Sequence, residues 1–252
     1  MNILKHMQID KTKFIEFLKD YVNKSLFDVS QKQKDFIFKK GEQLIDLINE
    51  IGSKGFLKEL TKDEIGVIDK KSEPITKNIE ELGKMTLSFL DMVTNNTNAQ
   101  GAALSLKDSL NNEYRISAHQ IAIIIGMTYS SFCEYNRFWL MQIIDLSKMK
   151  DKKGNKIDNE PNGIGALRKI LKTNKITKLE FFDHIDSNLR NSFFHLNFKF
   201  DGMKLYCKNN TGRDYIGLHE LINGTFDVDR SGFVLMCACR CYFNFFNSTS
   251  TK

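Results

Sequence analysis

The chain has 252 residues and a mass of 29.2 kDa, enough for one large domain or two small ones with a sizeable core. Hydrophobic residues make up 41% and charged residues 27%, with 2 prolines against 20 phenylalanines, which excludes a disordered or fibrous chain. The formal net charge is +6, the longest apolar run (Ile121–Met127) is far short of the roughly 18 residues of a membrane span, and Met1–Asp10 lacks the apolar stretch of a secretory leader.

The first 112 residues predict helices joined by polar breaks. Phe14, Phe17, Leu18 and Tyr21 follow the i, i+3, i+4, i+7 spacing of an amphipathic helix. Phe36, Ile37, Leu44, Ile45, Leu47 and Ile48 repeat it, ending near Gly52. Ser72-Glu73-Pro74 has the form of a helix start with proline in the first turn. Ile75, Ile79, Leu82, Leu87 and Leu90 carry that helix to a polar loop at Asn95–Gln100. This region carries 17 lysines, no arginine and 17 acidic residues, and no motif of chemical interest.

A second region begins near residue 113. Ser117 is placed to cap a long helix to about Lys148, with Ile121, Ile124, Ile125, Thr128, Phe132, Tyr135, Trp139 and Ile143 on its buried side. A hydrophilic loop, Met149–Gly163, and a short helix, Ile164–Lys172, follow. Thr177 and Glu180 have capping-box spacing and predict a helix running to about Leu196. The period then changes from 3.6 to 2: Phe198–Phe200 and Met203–Cys207 flank Asp201-Gly202, a strong hairpin signal. His219–Ile222 starts a helical segment, Gly232–Phe246 forms a last apolar helix, and Asn247–Lys252 is a tail. The expected architecture is therefore all-α: a helical bundle over residues 113–247 with a short β-hairpin inserted after the helix that ends near Leu196, preceded by an N-terminal helical extension (1–112) and followed by a tail at 248–252.

All seven arginines and the whole net charge lie in residues 113–252. Arginine suits phosphate because its planar fork donates two parallel hydrogen bonds, so an anionic partner is one reading and a solvated surface the plainer one. The five cysteines include Cys237, Cys239 and Cys241 in an apolar segment with no second pair at zinc spacing. They are expected to be small, reduced core residues, which suits the cytoplasm. Gly163-Ile164-Gly165 lacks the third glycine and preceding strand of a dinucleotide fingerprint, and there is no P-loop or zinc-protease motif. Phe243, Phe245 and Phe246 suit core packing better than RNA stacking. No cofactor or metal is implied.

One segment, Asp183–His195, groups chemistry. On a helical wheel, Asn191, His184 and His195 share a polar wedge edged by Arg190 and Asp183, while Phe182, Ile185, Leu189, Phe193 and Leu196 face the bundle. Histidine exchanges a proton near neutral pH, arginine holds phosphate and stabilises developing charge, and asparagine orients either. The plain alternative is two surface histidines and an Arg190–Asp183 or Arg190–Asp186 helix salt bridge.

Arg190-Asn191-Ser192-Phe193-Phe194-His195 resembles the R-N-x-x-x-H form of the R-x(4–6)-H signature of HEPN domains. The order of a long helix, a short helix after a loop, a motif helix, a hairpin and a closing helix is similar over roughly residues 113–247. The resemblance implies a helical homodimer whose motifs meet across a cleft, and a metal-independent endoribonuclease of toxin, defence or RNA-processing type. His195 would be the general acid/base, Arg190 the phosphate and transition-state binder and Asn191 the orienting residue. It also implies an RNA substrate and an antitoxin or other protein regulator, with no membrane role. His184 matches no part of the motif. Phe193 and Phe194 are bulkier than the small residues frequent between the arginine and histidine. The alternative function is a non-catalytic nucleotide- or RNA-binding or dimerisation module.

Overall fold

Phe14, Leu18 and Val22 fall on one stripe of a helix, α1 (Lys11–Ser25), and are buried, whereas Phe17 and Tyr21 remain exposed. Helix α2 (Gln31–Ser53) starts at a reciprocal cap between Ser30 and Gln33. Its buried face includes Ile37, Leu44, Ile45 and Ile48. Each such side chain contributes about 1.5–3 kcal/mol by leaving water. Gly41 lets α1 and α2 approach, since a Cβ there would lie 2.8 Å from Leu18 Cδ2. The computed structural model describes residues 8–25, 29–95, 103–107, 113–201 and 204–249.

Helix α3 (Lys62–Asn95) corrects the expected start at Ser72. Thr61 and Glu64 form the cap instead: Thr61 N and Oγ1 donate to Glu64 Oε2 at 2.8 Å, and Glu64 N donates to Thr61 Oγ1 at 3.2 Å. Pro74 lies inside the helix. Ser72 is buried and its hydroxyl bonds backwards to the Asp69 carbonyl at 3.0 Å, so it caps nothing. The polar loop expected at Asn95–Gln100 begins at the last residue of α3, and residues 96–100 lie outside the described set.

A hairpin not anticipated pairs β1 (Ala103–Lys107) with β2 (Glu113–Ser117), antiparallel with Ala103 opposite Ser117. Ser117 directly precedes α4 (Ala118–Ile143), which stops short of Lys148. Asp145 caps a separate 3-10 turn at Leu146–Lys148. Of the eight side chains assigned to the buried face of α4, Ile124 is the exception, at 40% exposure. Helix α5 (Ile164–Thr173) agrees with expectation.

The helix expected from Thr177 to Leu196 does not exist as one element. Thr177 N, Thr177 Oγ1 and Lys178 N all donate to the Glu50 carboxylate at 2.7–3.0 Å. Burial raises the Glu50 pKa, yet these bonds and Lys54 hold it below the usual carboxylate range. With its capping groups spent on a residue from α2, the segment makes only a 3-10 turn at Glu180–Phe182. A new cap at Asp186 then starts α6 (Ser187–Phe194).

Strands β3 (Phe198–Asp201), β4 (Lys204–Cys207) and β5 (Tyr215–Ile216) form an antiparallel sheet in chain order, with Asp201 opposite Lys204 and Tyr206 opposite Tyr215. The hairpin was expected and the third strand was not. Helix α7 (Leu218–Thr249) is continuous, correcting the expected separation of His219–Ile222 from Gly232–Phe246 and the expected tail at 247–249. Gly232 is a packing residue and not a break: a Cβ there would meet the Tyr135 ring at 2.9 Å. Residues 250–252 and the side chains of Phe245 and Phe246 are outside the described set, while Phe243 is buried.

The fold is a mostly α-helical bundle with short hairpins. No helix among the described residues is long and apolar enough to cross a membrane. Its compact units cut across the expected boundary at residue 112: one comprises Met1–Glu73, Cys133–Ile185 and Arg230–Lys252, the other Pro74–Phe132 and Asp186–Asp229. In the first unit Trp139, Leu167, Leu171, Phe181, Leu235 and Tyr242 are fully buried. In the second, Ile121, Ile125, Phe132, Leu189, Phe193 and Leu221 form the core.

Candidate functional site

Helix α6 belongs to the second unit and is fixed at its start by Asp186. Asp186 Oδ1 accepts from Asn188 N and Leu189 N at 3.0 and 2.9 Å, and Oδ2 accepts from Asn210 N at 2.6 Å. Its own N–H donates to the Tyr129 hydroxyl of α4 at 2.7 Å. Ser130 Oγ donates to the Arg190 carbonyl at 3.1 Å, so α4 holds both ends of the first turn. The helices touch because residue 126 is glycine: an added Cβ would fall 2.0 Å from Phe193 Cε1. Phe193 is buried there and its ring also meets Phe198 at 5.0 Å.

Arg190 is 5% exposed, which corrects its expected place on an open polar wedge. Nη1 donates to Asn191 Oδ1 at 2.8 Å, and Cζ stands 4.2 Å from the centroid of the Phe194 ring. The stack and the hydrogen bond together set the plane of the guanidinium. Asn191 is exposed. Phe194 is 58% exposed, and its ring meets the His195 ring edge-on at 5.1 Å and 88°. Phe194 thus links the guanidinium to the imidazole, while Phe193 points into the core.

His195 is exposed and stands at the C-cap of α6, its N–H donating to the Asn191 carbonyl at 3.0 Å. The next residue, Leu196, has φ of 52°, a left-handed conformation that turns the chain out of the helix. For this reason Leu196 is 67% exposed instead of facing the bundle, as the wheel required.

His184 lies in the other unit, before the Asp186 cap, and shares no helix face with Arg190. Its Nε2 is 2.7 Å from Ser231 Oγ, which donates to Asn136 Oδ1 at 3.0 Å, and its ring lies edge-on to Phe36 and Phe181. Burial first, then the Lys40 ammonium, lower its pKa to about 3 against the pull of the Phe181 carbonyl. An unfolded histidine titrates near 6.5, so between 6.5 and about 3 the unfolded chain binds more protons and stability falls as pH drops. His184→Gln, which keeps a group able to reach Ser231, should flatten the acid side of a plot of urea midpoint against pH. An unchanged slope would remove this ring as its cause.

Comparison with known proteins finds no matching family model, no matching curated protein and no matching solved structure.

Among the described residues no three His, Cys, Asp or Glu side chains gather at metal-binding spacing. All five cysteines are free; Cys133, Cys237 and Cys239 are buried. Burial pushes Cys207 up to about 11 and Cys237 to about 12, and raises Cys239 well above its ordinary value. These thiols stay protonated near neutral pH and are poor nucleophiles. Sequence reading missed Phe194 as the surface under Arg190, and Tyr129, Ser130 and Gly126 as its supports. It also missed His119, exposed in the first turn of α4 and stacked on Phe200 at 4.3 Å. A glycine in an apolar helix stretch and Asp186 before Ser187 were the available signals; nothing local marked His119.

Proposed function

We propose that the chain is a metal-independent endoribonuclease of HEPN type, acting as a homodimer in a toxin or antiviral-defence setting. The observation that carries this reading is a guanidinium fixed by Asn191 and the Phe194 face, with an exposed imidazole at the end of the same helix set edge-on to that same ring. In this scheme the 2′-hydroxyl of RNA attacks phosphorus and the bond to the 5′-oxygen breaks. The proton leaves the 2′-oxygen and one is delivered to the departing 5′-oxygen, with His195 and its counterpart in a second copy as base and acid. Arg190 balances charge on the phosphoryl oxygens and Asn191 keeps its fork oriented. The products carry a 2′,3′-cyclic phosphate and a 5′-hydroxyl. Phe194 and Leu196 at the end of α6, and Ile124 and Met127 on α4, leave apolar side chains in water, which supports burial against a second copy. Five free thiols fit a reducing, cytoplasmic setting.

The test is incubation of the purified chain with an RNA oligonucleotide in EDTA, followed by end-group analysis. Cleavage with cyclic-phosphate ends, abolished by a 2′-deoxy sugar at the cut, is expected. The burial of Arg190 favours a second reading, a module that binds RNA or nucleotide without cutting it. Salt-sensitive binding with no product at any pH would establish that reading and refute the first.

A further inference from the structure

The positive charge of this chain is concentrated. Residues 149–178, all in the first unit, contain nine lysine and arginine side chains and three acidic ones, and so carry the whole formal charge of +6. Eight are lysines, at positions 150, 152, 153, 156, 169, 172, 175 and 178, and every one is exposed. Among the described residues none of the eight is paired with an acidic side chain. Of the nearby acids, Asp151 is held inside the basic turn and two others are taken by arginines. Asp151 accepts from the Lys153 and Asn155 amides at 2.8 Å, Glu160 takes Arg137 at 3.3 Å, and Asp183 takes Arg168 at 2.6 Å.

The lysines are mounted on a braced frame. Lys150 bridges to Lys156 across the turn that Asp151 organises. Asn174, at the end of α5, exchanges two hydrogen bonds with the Lys150 backbone at 3.0 and 2.9 Å. This clips the basic turn to the helix end that carries Lys172 and Lys175. Beneath them Met149, Ile164, Leu167, Leu171 and Ile176 are buried. Lys175 has φ of 62°, a conformation glycine adopts more readily, and still presents a charged side chain.

No large apolar side chain of residues 149–178 is exposed. A protein interface needs apolar or aromatic anchors and is poor in lysine at its centre, and firm membrane attachment needs an apolar face besides the charge. A phosphate backbone needs only unpaired cations along its path. We propose that this lysine platform binds the sugar-phosphate backbone of single-stranded RNA; the choice of RNA as the polyanion rests on the endoribonuclease reading.

The experiment uses the full chain carrying His195→Ala, in EDTA, with a fluorescent single-stranded RNA read by anisotropy between about 50 and 200 mM salt. The variant Lys152→Gln/Lys153→Gln/Lys169→Gln/Lys172→Gln should bind about tenfold more weakly, with a log–log salt slope shallower by roughly 0.7 for each phosphate no longer neutralised. A control, Lys32→Gln/Lys62→Gln/Lys70→Gln/Lys71→Gln, removes the same charge from other exposed positions and should bind nearly as the parent does. Unchanged melting temperatures establish that both variants fold. Equal weakening by the two variants, or no weakening by the first, overturns the platform. So does lysine-dependent retention on phosphatidylserine vesicles or polyglutamate without RNA binding. A native chain that cuts RNA while the first variant binds normally refutes the platform and leaves the nuclease reading intact. A chain that binds RNA through these lysines and never cuts refutes the nuclease reading and leaves the platform.

Discussion

Replacing His195 by alanine should lower the rate of RNA cleavage by about 10²–10⁴-fold, the range lost with a general acid or base. That corresponds to roughly 3–5.5 kcal/mol of transition-state stabilisation. The substitution is clean because the ring is exposed and its backbone, not its side chain, bonds to α6. Exposed replacements of this kind usually shift stability by no more than about 0.5 kcal/mol. The melting temperature should therefore stay close to the parent value while the rate collapses. Arg190→Ala is a poorer probe, because it also removes the partner of the Phe194 ring and hollows a buried position. Arg190→Lys keeps the charge and loses the planar fork. It should cut activity strongly, with KM and kcat both affected, since the fork engages phosphate in the ground and transition states. Full activity in His195→Ala would end the proposal outright.

The second large effect is structural. Gly126→Ala places a methyl group 2.0–2.3 Å from three atoms of the Phe193 ring. Neither helix can give easily: Phe193 is buried, and α6 is tied to α4 through Tyr129 and Ser130. Overpacking of this kind costs about 1–3 kcal/mol, and at roughly 2–4 °C per kcal/mol for a chain this size the midpoint should fall by about 2–12 °C. Because α6 carries Arg190, Asn191 and His195, activity should fall with it. The pair Gly126→Ala/Phe193→Leu should recover part of both losses, since the shorter side chain vacates the space the methyl group needs; a double-mutant cycle measures that coupling. A Gly126→Ala chain that melts like the parent would show that α4 and α6 are less constrained than their packing implies.

Local pattern located most elements and missed where they begin and end. Helices α1 and α2 follow from apolar spacing, and the β3–β4 hairpin from alternation around Asp201-Gly202. Two of the misses share a cause: a local signal outcompeted by a distant partner. Thr177 and Glu180 have capping-box spacing, but Glu50, far away in sequence, takes the amides and hydroxyl that would have formed the cap. Gly232 looks like a break until the Tyr135 ring is found against it. Ser72-Glu73-Pro74 looks like a beginning, yet Thr61 and Glu64 had already started that helix.

Two local breaks altered the candidate site. A wheel drawn through residues 182–196 assumes one unbroken helix. The break at Asp186 moves His184 out of the set, and the left-handed Leu196 ends the helix just after His195. Asn191 and His195 remain on the surface as the spacing required, whereas Arg190 is covered by a neighbour, Phe194, whose role no periodicity would reveal.

Residues 40–58 brace segments of their own unit that come much later in the chain. Lys40 anchors the carbonyls of Glu180 and Phe181, Glu50 secures Thr177, and the Tyr242 hydroxyl donates to the Lys58 carbonyl at 2.5 Å. A shortened gene beginning at codon 113 would strip these supports from the remaining chain and uncover apolar side chains that residues 14–60 now shield. Trimming by a protease ahead of residue 113 should likewise destabilise what remains, because it removes the same hydrogen bonds.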